Sequence, residues 1–283
     1  MRIVFDRVDF AYESFGRGKK KPSLEKKAVD QAEGAFALSE ISFFVSSAEC
    51  ISILGRSGSG KSTLMNLFTG LSRPSRGRII IDEKDLFSDP ASLASMRRRI
   101  GLIFQFPESQ LFETTVYDDV AYGPRNLGLS EEMVRERVEA SLAAVGLSMR
   151  EFGAIDPLRL SQGEKRRAAI AGILAMKPEM LIMDEPTSGL DASGRELLTR
   201  IIKELSEQNI GIVLISHDTS LAVSLTQRAL VLDDGRLCYD GSLTKLLGNS
   251  SQTSRLGLEV PRAFRLSEKL EKHGVVDVQE LGP

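Results

Sequence analysis

Nowhere does this 283-residue chain hold the unbroken apolar run of about 20 residues that a helix needs to cross a bilayer. Work at a membrane would have to pass through another subunit. The opening Met1-Arg2-Ile3-Val4-Phe5-Asp6 has neither a long apolar core nor a small-residue cleavage site, so no secretory signal is expected. An excess of one charge is also missing: 37 Lys and Arg face 39 Asp and Glu, and the net charge of −2 gathers neither nucleic acid nor an anionic membrane. Cysteine is scarce. Cys50 and Cys238 fall in apolar runs that read as strands and lack metal-ligand spacing, so both are expected as buried free thiols in a reducing cytosol. No internal repeat is visible, and the length suits one or two domains with a sizeable core.

Against these absences stands one dense motif, Gly55-Arg56-Ser57-Gly58-Ser59-Gly60-Lys61-Ser62. The apolar run Cys50-Ile51-Ser52-Ile53-Leu54 leads into it, and Thr63 to Phe68 has helical spacing, so the motif sits between a strand and a helix. Its glycines let successive N–H groups turn inward as an anion nest, to which the helix N-terminus adds its dipole. Lys61 can reach the β- and γ-phosphates of a nucleoside triphosphate, and the Ser62 hydroxyl can hold Mg²⁺. The loop and the Thr63 after it are the expected nucleotide contacts.

Ile3 to Tyr12 alternates like an edge strand. Residues 13–36, with Lys19-Lys20-Lys21 and Lys26-Lys27, read as a long loop or mobile insertion whose charge is a solvated face, the alternative being a contact to lipid phosphate or nucleic acid. Strands are expected at Ile41–Val45, Gly77–Asp82 and Ile100–Gln105, and an amphipathic helix from Ser130 closes at Gly146. From Gln162 onward helices and strands alternate: a helix there, a strand at Leu181–Asp184, a helix from Ala192, a strand from Ile210 to Ser216 and a helix from Thr219. Two further strands, Ala229–Leu232 and Arg236–Tyr239, close the series. That order implies a mainly parallel α/β sheet covered on both faces, with a helical insert in its middle. Beyond residue 246 the tail is expected to be loose up to Pro261, with a helix from Arg262 to Lys272.

Met180-Leu181-Ile182-Met183-Asp184-Glu185 delivers two acids to the sheet edge where such folds bind ligands. Asp184 is placed to hold Mg²⁺ through a water, and Glu185 to polarise the water that attacks the γ-phosphate. Leu160-Ser161-Gln162-Gly163-Glu164 opens a helix whose Ala168, Ala169, Ala171 and Gly172 allow close packing. Ser161 with Glu164 is a plain capping box, and a helix start beside Gly163 is also a second anion site; the two readings are compatible.

Phosphate loop, LSQGE, MDEP, Ser188-Gly189-Leu190-Asp191 and Ser216-His217-Asp218 follow one another in the order and spacing of the ATP-binding cassette (ABC) family, which residues 1–245 resemble. The resemblance implies a P-loop NTPase with a RecA-like core, a helical subdomain (about 106–176), an antiparallel β-subdomain and, at 246–283, a tail with a possible dimerisation helix. It implies ATP with Mg²⁺, and two cassettes head to tail, so that Ser161, Gln162, Gly163, Glu164 and Asp191 of one meet the nucleotide on the other. Tyr12 matches the residue that stacks on adenine; the alternative is an ordinary strand aromatic. Gln105 matches the glutamine at Mg²⁺ and the attacking water, and His217 the histidine at the γ-phosphate. Gln162 departs from the family's usual glycine: a left-handed backbone there would cost on the order of 1 kcal/mol, a helical one little.

A narrower resemblance lies in Phe104-Gln105-Phe106-Pro107-Glu108-Ser109-Gln110-Leu111-Phe112-Glu113, in Thr115 to Pro124, in Arg166 to Met176 and in Gly257-Leu258-Glu259-Val260-Pro261. These are similar to the ATPases of energy-coupling factor (ECF) transporters, bacterial importers of vitamins and of cobalt or nickel ions. The resemblance implies a peripheral protein at the cytoplasmic face of the membrane, with a transmembrane coupling subunit and a substrate-binding membrane subunit as partners. It allows a homodimer or a heterodimer with a second ATPase, and implies no nucleic acid. The segment after Gln105 would form a groove for the partner's coupling helices; its aromatics could instead merely pack the helical subdomain. The alternatives are an ATPase of another ABC importer or exporter, or a soluble ABC ATPase acting on DNA or ribosomes.

Overall fold

Apolar residues at alternate positions make β1 (Arg2–Phe10), which begins a computed structural model describing residues 1–12, 36–262 and 264–266. The chain continues through β2 (Leu38–Ser46), β3 (Cys50–Leu54), α1 (Lys61–Phe68), β4 (Arg76–Ile81), β5 (Lys84–Asp85), α2 (Pro90–Arg99) and β6 (Ile100–Ile103). Four helices follow: α3 (Val116–Asn126), α4 (Glu131–Ala144), α5 (Met149–Phe152) and α6 (Gln162–Leu174). The second half runs β7 (Met180–Asp184), α7 (Ala192–Glu207), β8 (Gly211–Ile215), α8 (Thr219–Leu225), β9 (Arg228–Asp233), β10 (Arg236–Ser242), α9 (Leu243–Leu247) and α10 (Ser250–Arg255).

Two sheets result. One is antiparallel, in the order β2-β1-β4-β5; the other has the order β10-β9-β3-β8-β7-β6, parallel throughout except for β10. Alternate residues of the central strands divide between two cores, as the period of a strand requires. Leu181, Met183, Ile212, Leu214 and Val231 face the helices, packing with residues of α3, α4, α6 and α7. Ile182, Val213, Ile215 and Leu230 face the other way, against Leu64 and Phe68 of α1 and the inner residues of β1 and β2.

Helix boundaries follow local chemistry. Ser130 caps α4 by accepting from Met133 N–H, and Gly146, at φ 70°, ends it: Leu147 N–H reaches back to Leu142 O and Gly146 N–H to Ala143 O. Gly172 on α6 brings that helix against the α3 backbone, where a Cβ would lie 3.7 Å from Asp119 O.

Three expectations change. β1 is an interior strand, paired with both β2 and β4, because side-chain alternation reports a buried face and says nothing of which backbone edges are bonded. Cys238 is exposed and Cys50 only partly buried, since Cys238 points outward from β10, at the sheet's edge. The stretch after residue 246 is not loose: Asn249 caps α10, and Leu246, Leu247, Thr253 and Leu256 are buried. Arg262 and residues 264–266 are helical, whereas the rest of the expected 262–272 helix and residues 13–35 of the insertion lie outside the described residues.

Candidate active site

Because β3, β8, β7 and β6 are parallel, their C-terminal ends open at the same edge of the sheet. There β3 delivers the loop at Gly55, β8 delivers Ser216 and His217, β7 ends in Asp184 and Glu185, and β6 leads to Gln105. Residues from Gly55 to His217, 162 positions apart in sequence, become neighbours through sheet order alone.

The phosphate loop is shaped by glycine. Gly55, Gly58 and Gly60 have φ of 147°, 80° and 102°, and a Cβ on Gly55 would overlap Leu232 O. Gly60 ends the loop as the N-cap of α1, so that helix points its free N–H groups into the nest. Lys61 Nζ folds over the loop, donating to Gly55 O at 2.7 Å and Arg56 O at 2.8 Å. Burial pushes its ammonium below the usual lysine range, and the Glu185 and Asp184 carboxylates offset part of that. Ser59 Oγ is buried without a hydrogen-bond partner among the described residues and sits where a Cβ on Gly55 would have to go, so it packs the back of the loop. Ser62, on the first turn of α1, is exposed. Thr63 Oγ1 lies 2.8 Å from the Tyr12 hydroxyl. Tyr12 is 62 % exposed, its ring edge-on to Phe10 at 5.0 Å, which leaves an open aromatic surface beside the loop.

Glu185 has an αL backbone, with φ of 45°, that turns its carboxylate away from the line of β7. Oε2 accepts from Ser216 Oγ at 2.8 Å; Oε1 accepts from His217 N–H at 2.7 Å and stands 2.6 Å from His217 Nδ1. Burial pushes the Asp184 carboxyl up, the Glu185 charge adds to this, and Lys61 draws it back. Gln105 donates to Ser188 Oγ at 3.5 Å, a long contact that keeps it beside the turn after Glu185. A cleft of about 860 Å³ lies alongside, walled by Glu185, His217, Asp218 and, from the tail, Glu259 and Arg262.

The LSQGE residues are held differently. Ser161 caps α6 in a complete capping box with Glu164, whose carboxyl is lowered by the Ser161 hydroxyl and N–H. Gln162 occupies the first helical turn with negative φ, so the glycine-to-glutamine departure carries no backbone strain. Its amide goes to Glu108 Oε1 at 2.7 Å. Gly163 has open space around it. Asp191 caps α7, accepting from Gly194 N–H at 2.8 Å. Among the described residues, no hydrogen bond joins Ser161–Glu164 or Asp191 to the phosphate loop of the same chain.

Two participants escaped the sequence reading. Arg166 is buried and paired with Glu108, and Ser216 holds Glu185. A faint signal existed for Arg166, since it shares a helix face with the buried Ala169 and Ile170; its partner, 58 positions away, left none. The tail also runs over the phosphate loop. Gly257, at φ 65°, lies where a side chain would collide with the Arg56 guanidinium.

The ABC transporter family profile matches residues 38–188. The energy-coupling factor transporter ATP-binding protein EcfA2 of Caldanaerobacter subterraneus subsp. tengcongensis is 42% identical over 240 residues, covering 84% of each chain. Among solved structures, cbiO1 of Clostridium perfringens, part of the ABC transporter complex cbiONQ, superposes with a TM-score of 0.76 at 30% identity. The match spans 94% of this chain and 98% of that one. A dimeric post-hydrolysis state of the ATP-binding cassette MJ0796, bound to ADP and Pi, gives 0.69 at 29% identity, over 85% of this chain and 98% of that one.

Proposed function

Since this chain belongs to the ABC transporter family, among the ATP-binding subunits of energy-coupling factor transporters, we propose that the ATP it hydrolyses is bound and cleaved by the residues gathered at the β3-β8-β7-β6 edge. Residues Gly55 to Thr63 hold the phosphates, with Lys61 exchanging its two loop carbonyls for β- and γ-oxygens, and Tyr12 lies against adenine. The glycine loop with positive φ at Gly55, Gly58 and Gly60, ending at the uncapped start of α1 with Lys61 folded over it, is the observation that carries this reading.

The donors beside the nest are one hydroxyl, one amide and one partly buried acid, a set that suits a hard cation completed by phosphate oxygens. A Mg²⁺ held by Ser62, Gln105 and, through water, Asp184 would neutralise charge on the transferring phosphoryl group. Glu185 orients and deprotonates the attacking water, and His217 faces the γ-phosphate while steadying Glu185. Ser161, Gln162, Gly163, Glu164 and Asp191 act across a dimer, consistent with their separation here from their own phosphate loop.

No helix among the described residues is long and apolar enough to cross a membrane. The subunit would then sit on the cytoplasmic face, bound to a transmembrane coupling subunit and a substrate-binding subunit that selects a vitamin or transition-metal ion. Phe106, Phe112 and Tyr122, all exposed beside Leu111, supply the apolar contact for the coupling subunit. Lys61→Ala tests the whole reading: ATP binding and hydrolysis by the assembled transporter should both be lost, whereas parental binding would overturn it.

A further inference from the structure

The buried Arg166 guanidinium makes four hydrogen bonds. Its side chain is 1 % exposed, and that of Glu108 is 9 %. Nε and Nη2 clasp Glu108 side-on, at 3.1 Å to Oε2 and 2.9 Å to Oε1. Nη1 crosses to the turn after Glu185, donating to Pro186 O at 3.0 Å and Ser188 O at 2.6 Å.

That turn needs outside support. Glu185 opens it in the αL region, Ser188 N–H closes it onto Glu185 O at 3.0 Å, and among the described residues Arg166 alone donates to the carbonyls of Pro186 and Ser188. Glu108 in turn ties Arg166 to the first turn of α6 by accepting the Gln162 amide at 2.7 Å. It lies on the 3₁₀ turn Pro107–Gln110, just before the exposed Phe112. One ion pair thus joins the start of α6, the segment after Gln105 and the turn that aims Glu185. A planar fork can serve a carboxylate and two carbonyls at once; a lysine ammonium cannot.

We propose that Arg166 is a positioning residue for ATP hydrolysis, holding the Glu185–Ser188 turn through two carbonyls while Glu108 and Gln162 register it to the start of α6. The inference rests on the reading of Glu185 as the residue that activates water. Arg166 touches neither nucleotide nor water, so its loss should slow the chemical step and leave ATP binding alone.

The test uses Arg166→Lys, Glu108→Gln and Glu185→Gln in the assembled transporter, measuring kcat, KM for ATP and binding of a fluorescent ATP analogue. Arg166→Lys should lower kcat roughly tenfold or more, since displacement of a reacting group by about an ångström costs that much. KM and analogue affinity should stay within about twofold. Glu108→Gln should show the same split, more weakly, and Arg166→Lys should add nothing in the Glu185→Gln background. A normal kcat for Arg166→Lys beside an inactive Glu185→Gln overturns this inference alone. So does a matched loss of affinity and turnover, or failure of both pair variants to assemble, because either marks a purely structural pair. Full turnover in Glu185→Gln overturns instead the reading beneath it.

Discussion

Oε1 of Glu185 meets two nitrogens of one residue, the backbone N–H of His217 at 2.7 Å and its ring Nδ1 at 2.6 Å. As a carboxylate Glu185 only accepts, so Nδ1 carries the hydrogen and Nε2 is left to face outward. Ser216 Oγ takes the other carboxylate oxygen, and the ends of β7 and β8 are latched through a single side chain. Among the described residues Oε2 accepts only the Ser216 hydroxyl and so keeps a lone pair for an attacking water.

Glu185→Gln keeps an oxygen for the latch and removes the base. ATPase turnover should fall by roughly 10²–10⁴-fold, the usual contribution of a general base, while ATP binding persists and closed dimer accumulates on gel filtration. Wild-type turnover in this variant would take Glu185 out of the chemistry.

Asp184 gives a prediction with a pH sign. Its carboxyl is raised by burial and then by Glu185, so the stability it contributes is present below the ordinary carboxylate value and lost as pH rises through the folded value. At neutral pH the charged group is a net cost. Asp184→Asn should therefore melt higher than the parent in the absence of nucleotide, at about 2–4 °C for each kcal/mol regained, and the gain should shrink as the pH is lowered towards 4. Mg²⁺-dependent ATP hydrolysis should be lost in the same variant. A nucleotide-free melting temperature below the parent's at pH 7 contradicts the assignment.

Tyr12 presents its ring to solvent and ties its hydroxyl to Thr63. Stacking of this kind contributes about 0.5–1.5 kcal/mol, so Tyr12→Ala should raise KM for ATP roughly 2- to 10-fold with kcat little changed, and Tyr12→Phe should stay near the parent. An unchanged KM in the alanine variant, read from steady-state kinetics, would return Tyr12 to an ordinary strand aromatic.

Phe112 is 64 % exposed and sits edge-on to Tyr122 at 4.9 Å. A charge there meets no packed core in the free subunit, so Phe112→Asp should leave stability and intrinsic ATPase activity near the parent's. Copurification with the membrane subunits, and transport in vesicles, should be lost. Retained copurification would place the docking surface elsewhere.

Legibility varied with the range of the interaction concerned. The phosphate loop, the acidic end of β7 and the cap at Ser161 are local patterns, and each was readable because its residues lie within a few positions of one another. Cys238 misled because an edge strand with one open face carries the same apolar alternation as a covered one. The segment after residue 246 misled because its burial depends on Leu247 and Leu256, at the ends of two separate short helices, meeting a core built by distant strands.

Taken alone, the order of residues determined the chemistry available: a glycine nest with a lysine, two acids ending an apolar strand, a capped helix start and a histidine after another strand. Such motifs depend on backbone dihedrals and short-range hydrogen bonds, which neighbouring residues dictate. Only the tertiary structure decided that β8 lies between β3 and β7, putting His217 on Glu185, and that Arg166 crosses from Glu108 to the Pro186 and Ser188 carbonyls. Contacts of that kind arise from how strands order themselves in a sheet and where a buried charge finds its partner, and no short stretch of sequence encodes either.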